Sequence, residues 1–161
     1  MAEETLEIRI INILSDSSVI TNALADSSGR NIHMSNCDPV GGSFPQITIS
    51  VDDGETQPKI PAQDRILIIN VWYDTQPSPR YVDMKAMKDN ILSLLDLQNT
   101  AISDIDEDED EGLRVVQCRK LEASYSLNSI YQKHQLKIIF EIIESYGESF
   151  ADGVSGNITW V

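Results

Sequence analysis

Apolar residues at Leu6, Ile10, Ile13 and Leu14 recur at i, i+4, i+7 and i+8, the spacing that gathers side chains on one face of an α-helix. Ser15, Asp16, Ser17 and Ser18 interrupt that pattern with side chains that cap free helical N–H groups. Val19, Ile20, Ala23 and Leu24 then resume it, which predicts a short second helix closed by Gly29. Turn formers crowd residues 30–45 (Asn36, Asp38, Pro39, Gly41, Gly42 and Pro45), so this stretch reads as a loop, with a short strand near Ile32 and Met34. Strict alternation follows. Ile47, Ile49 and Val51 fall on one side and Thr48 and Ser50 on the other, the signature of a half-buried strand, ended by Asp52, Asp53 and Gly54. Pro58 and Pro61 remove two N–H donors from the next stretch and predict a loop there or an excursion at a sheet edge.

Residues 64–75, DRILIINVWYDT, are the most apolar run, and their apolar side chains occupy both alternating faces. That predicts a central strand covered on one side by helices and on the other by a second surface, such as a neighbouring subunit. After Pro77 and Pro79, Met84, Met87, Ile91, Leu94 and Leu95 return to helical spacing and predict an amphipathic helix over 81–96 with its methionines in the core. Asp104, Asp106, Glu107, Asp108, Glu109, Asp110 and Glu111 form an acid run broken only by Ile105, which repels itself and predicts a mobile, solvated loop. Two strands follow, over 113–125 and 135–144; in the second, Leu136, Ile138, Phe140 and Ile142 share a face. Residues 145–161 form an extension rich in glycine and serine that ends in the apolar tip Ile158, Trp160 and Val161, which has no local core to enter and is expected to dock on a partner or another subunit. The element order predicts an α+β fold, a largely antiparallel sheet packed against two or three helices.

A length of 161 residues suits one domain, expected to span 1–161, and allows a core that needs neither disulfides nor metal. Cys37 and Cys118 stand alone and read as reduced thiols, Cys118 as packing material in a strand. No run approaches a membrane span, and the acidic start MAEETLEIR lacks the basic flank of a signal peptide, so a soluble protein made in the cytosol, with no membrane partner, is expected. A formal net charge of -14 disfavours a grip on phosphate backbones, which basic side chains make. The same charge would let DNA pass a channel without sticking, or would simply confer solubility.

Candidate chemistry is sparse. The chain holds no GxSxG, HExxH, Walker-type or GxGxxG pattern, and His33 and His134 are far apart in sequence. Calcium would need an EF-hand spacing, but the sixth position from Asp104 or Asp106 is Glu109 or Glu111 where glycine belongs, and the twelfth is Val115 or Gln117 where a bidentate glutamate belongs. No enzyme, cofactor or metal site is expected. A small ligand-binding domain or a calcium-dependent adaptor stands as an alternative of a different class.

The order of segments resembles the tail terminator (tail completion) proteins of long-tailed bacteriophages. The resemblance runs through an N-terminal helix with ILSDSSVITNAL, the turn-rich PVGGSFPQITISV in which Pro45 leads into a strand, LIINVWYD, a helix, an acidic insertion and LKIIFEII. It implies a virion protein at the head-proximal end of the tail, assembled in the host cytoplasm. Such a subunit forms a ring, expected to be a hexamer, that caps the tail tube protein, stops tube growth and receives the DNA-filled head through a head-completion or connector protein. Another connector component, a stopper or head-completion protein, is the nearest alternative. The acid run and the C-terminal extension match no part of that pattern.

Overall fold

The computed structural model describes residues 5–25, 30–35, 38–57, 62–106 and 111–145, with 53–57, 62, 105–106 and 111 described by backbone alone. Helix α1 (Leu6–Ser15) starts where the Thr5 hydroxyl accepts a hydrogen bond from the Ile8 N–H, and it buries Leu6, Ile10 and Leu14. Ser17 then caps α2 (Ser18–Ala23), accepting from the Ile20 N–H, so the polar interruption read between the two helices is a cap. Strand β1 (Ile32–Met34) is followed by the hairpin of β2 (Gln46–Gln57) and β3 (Ala62–Tyr73). Helix α3 (Tyr81–Leu95) buries Met87, Ile91 and Leu95, and the single turn α4 (Asn99–Ile102) buries Ile102. Strands β4 (Asp104–Asp106), β5 (Glu111–Asn128) and β6 (Lys133–Ser145) are the last elements among the described residues.

The six strands lie in the order β1-β2-β3-β6-β5-β4. Among the described residues only the β1–β2 pairing is parallel, and the other four are antiparallel. This is the expected α+β fold with a largely antiparallel sheet. Register carries the core across the strands in rows: Ile47, Val71 and Leu136 line up, then Ile49, Ile69 and Ile138, then Val51, Leu67 and Phe140. The buried faces of α1, α2, α3 and α4 join these rows in one apolar cluster. The run at 64–75 is central, as its composition predicts, because β3 pairs with β2 on one side and with β6 on the other.

Two sequence-based boundaries need correction. Asp52, Asp53 and Gly54 do not end β2, which continues to Gln57 opposite Ala62, with a register shift between Asp53 and Thr56. A long hairpin ladder absorbs poor strand formers as a bulge because each added residue pairs with a partner already in place. The acid run is likewise not a loop throughout. Asp104, Ile105 and Asp106 pair with Leu113, Gly112 and Glu111 as an antiparallel hairpin, while Glu107, Asp108, Glu109 and Asp110 lie outside the described residues. Gly112 sits at φ 128. That conformation is open to glycine and strained for other residues, so glycine suits this paired position opposite Ile105.

Candidate assembly surfaces

The described part of the acid run, Asp104–Asp106 and Glu111, lies at one end of the sheet. Asp104 is exposed, and the backbones of Asp106 and Glu111 stand directly opposite each other in the ladder. Register puts this hairpin at the end of the sheet where Arg114 pairs with Ser145 and Ser145 with Ala62. An ion pair between Arg65 and Glu144, at 2.7 Å, closes the same end. The chain leaves β6 there toward Ile158, Trp160 and Val161, which lie outside the described residues.

Residues with catalytic potential do not converge. His33 on β1 makes a 3.1 Å contact with the Asn31 side chain, whereas His134 lies on β6, with β2 and β3 between them. At about 4.8 Å per strand that separates the two by at least ~14 Å. The Cys118 thiol is buried in the core, and burial, with Asp96 nearby, pushes it up to about 12, so it stays protonated and unreactive at neutral pH. Burial likewise pushes the Tyr73 phenol well up, helped by Asp83 and Tyr125. Among the described residues no three His, Cys, Asp or Glu side chains come together as metal ligands.

The sheet face opposite the helices is the second apolar side that the 64–75 run predicts, and it is the first of two candidate surfaces. One end of it is closed by the chain itself. Trp72 is fully buried, donates to the Thr48 hydroxyl at 2.9 Å, and meets the Tyr131 ring edge-on with centroids 5.7 Å apart. The Gln46 side chain accepts from the Val40 N–H at 2.7 Å and donates to the Val40 carbonyl at 2.9 Å, holding the turn-rich segment over this end. Tyr131 reaches the same segment by donating to Asp38 at 2.6 Å, and Gln135 donates to the buried Asn70 at 2.8 Å. Beyond that lid, Ile66, Ile68, Ile139 and Ile143 are half-buried, with Ile68 and Ile139 directly opposite. Among the described residues no helix packs over them. The Glu141 carboxylate sits within the patch, opposite Ile66 and between Ile139 and Ile143, and is paired with Arg119 at 3.0 Å. Ile66 and Ile68 are the residues that made the 64–75 run apolar on both faces.

The second surface is a groove of about 720 Å³ at the opposite end of the sheet from the acid run. Val19 and Ala23 of α2, Ala86 and Met87 of α3, Phe44, Pro45, Tyr73, Pro77 and Pro79 supply its apolar walls. Charge at its mouth is already matched: Arg80 holds Asp83 through two hydrogen bonds of 2.9 and 3.1 Å, and Lys133 pairs with Asp74 at 3.1 Å while lying over the Phe44 ring. A recess of this kind takes an apolar side chain more readily than an ion. The turn-forming prolines that signal it in the sequence are visible there only as loop markers, because their convergence depends on how the sheet ends and α3 begins.

No protein-family model matches the sequence, and comparison with curated proteins finds no match. Among solved structures, a chain from the virion of a native gene transfer agent particle shares the fold, with a TM-score of 0.60 over 87% of this chain and 94% of that one at 13% sequence identity.

Proposed function

We propose that this chain is a structural virion protein of a tailed phage or phage-like particle, and within that class a tail terminator that acts by assembly and performs no chemistry. The observation that supports this reading most is the likeness of fold, over nearly the whole length of both chains, to a component of a gene transfer agent virion. The segment order of terminator proteins points the same way. A ring of identical subunits needs two different surfaces on each one, since head-to-tail contacts join unlike patches. The half-buried isoleucine patch on the open sheet face and the apolar groove are two such surfaces on opposite sides of the same sheet. The ring, a hexamer by the resemblance, caps the tail tube and presents its other side to the connector of the filled head. DNA then passes through it without specific binding, as the net charge of -14 favours.

Purified protein mixed with tail tubes and viewed by negative-stain electron microscopy tests this. Rings seated at one tube end are expected. A species that stays monomeric and never associates with tube ends overturns the terminator reading, and capture on the portal side of heads instead makes the chain a stopper or head-completion protein.

A further inference from the structure

The groove between α2, α3 and the 73–80 segment has the walls of a side-chain receptor. Phe44, Tyr73, Pro77 and Pro79 supply flat apolar surfaces, and Val19 and Ala86 stand exposed on its two flanking helices. Its charged groups are paired with one another, so the recess offers an incoming group apolar contact and little else. The same chain carries an apolar group past the last described strand: Ile158, Trp160 and Val161, which lie outside the described residues.

Reach decides whether the two can meet. Ser145 pairs with Ala62 at one end of β3, and Tyr73, in the groove wall, is the other end of that strand, eleven residues on. At ~3.3 Å per residue the gap is about 36 Å. Trp160 lies fifteen residues past Ser145. Extended chain of that length spans up to ~50 Å, which reaches the groove of the same molecule or that of an adjoining copy. An indole is also the apolar side chain that gains most from such a recess, since it buries on the order of 150–250 Å².

We propose that the groove is the receptor for the Trp160 segment of this chain, with the indole seated between α2 and α3 and Ile158 and Val161 against its rim. The docking rests on the groove and on the reach of the chain past Ser145, and it stands whether or not the protein caps a tail tube. In a ring it would tie each subunit to the next by a strap additional to the sheet-face contact.

The chain has two tryptophans, so full-length protein labelled with 5-fluorotryptophan shows two fluorine resonances, and Trp160→Phe assigns them. The wild-type Trp160 resonance is expected away from the position of free indole, with acrylamide quenching several-fold weaker than for a free tryptophan. Ala86→Arg and Val19→Asp alter only exposed groove positions, and each should return that resonance to the free position while leaving the Trp72 resonance in place as evidence of a folded core. Dilution of the wild type distinguishes the two arrangements that fit: a resonance unaffected by concentration means docking within one molecule, and release on dilution means docking on a second copy. A Trp160 resonance at the free position in the undiluted wild type, or one that ignores both groove substitutions, overturns the proposal. Either failure leaves tube capping untouched.

Discussion

Single residues here divide between those whose role was legible from their type and those whose role depends on a partner distant in sequence. Trp72 is the clearest of the second kind. Its indole N–H is buried and satisfied by Thr48, twenty-four positions earlier, across the β2–β3 ladder. Thr48→Val keeps the shape and removes the acceptor, so a buried donor is left unpaired; a loss of about 1–3 kcal/mol is expected in urea unfolding. Leu97 shows the opposite sign. It is exposed and sits at φ 61, just past the end of α3, where a side chain is strained. Leu97→Gly relieves strain of about 1–2 kcal/mol and gives part of it back as extra freedom in the unfolded chain, so a gain of about 0.5–1 kcal/mol is expected. Cys118 carries a pH signature. Its thiol rises from the ordinary value of 9.0 to about 12 on folding, so the folded state prefers the protonated form. The stabilising effect is fully present below pH 9 and disappears as pH climbs toward 12. The free energy of unfolding across that window should therefore fall less steeply in Cys118→Ala than in the wild type.

Elements followed the sequence wherever periodicity was strong and departed from it where pairing overrode composition. α1, α2, α3 and the core of β2, β3 and β6 carry periods that no tertiary contact needed to correct. β4 and the far ends of β2 and β3 contain acids and poor strand formers, and they are strands because a neighbouring strand lies within hydrogen-bonding distance. The outer edge of β5 shows how the fold deals with an open strand. Lys120 N–H donates to the Asp96 carboxylate at 2.9 Å, Leu97 N–H donates to the Cys118 carbonyl at 2.9 Å, and Val115 N–H donates to the Ser103 hydroxyl at 2.9 Å. The segment after α3 thus occupies edge groups that would otherwise invite another chain. Asp96→Ala together with Ser103→Ala should lower stability by about 2–4 kcal/mol, each leaving a β5 N–H without its partner, and should raise light scattering at high protein concentration.

The whole molecule combines a net charge of -14 with two apolar surfaces that need partners. Assembly therefore has to overcome repulsion among like-charged subunits, and salt shortens the range of that repulsion from about 30 Å at 0.01 M to about 8 Å at 0.15 M. Sedimentation is expected to show association strengthening over that salt range. Ile68→Asp, which puts a charge on the isoleucine patch opposite Ile139, should abolish it while the circular dichroism of the monomer is retained. Loss of association with rising salt would instead mean that ion pairs such as Arg119 to Glu141 are exchanged between subunits.

By itself the sequence determined the fold class, the helices α1, α2 and α3, the central strand and the lack of any local catalytic signature, because these depend on spacings of a few residues that report which face of an element is buried. Only the tertiary structure decided where surfaces form. The groove joins residues from Val19 to Asn90, the open sheet face joins Ile66 to Ile143, and the acid run became in part a hairpin because Leu113 and Gly112 were there to pair with it. Such sites arise from register and packing between distant segments, and no short window of the chain contains that information.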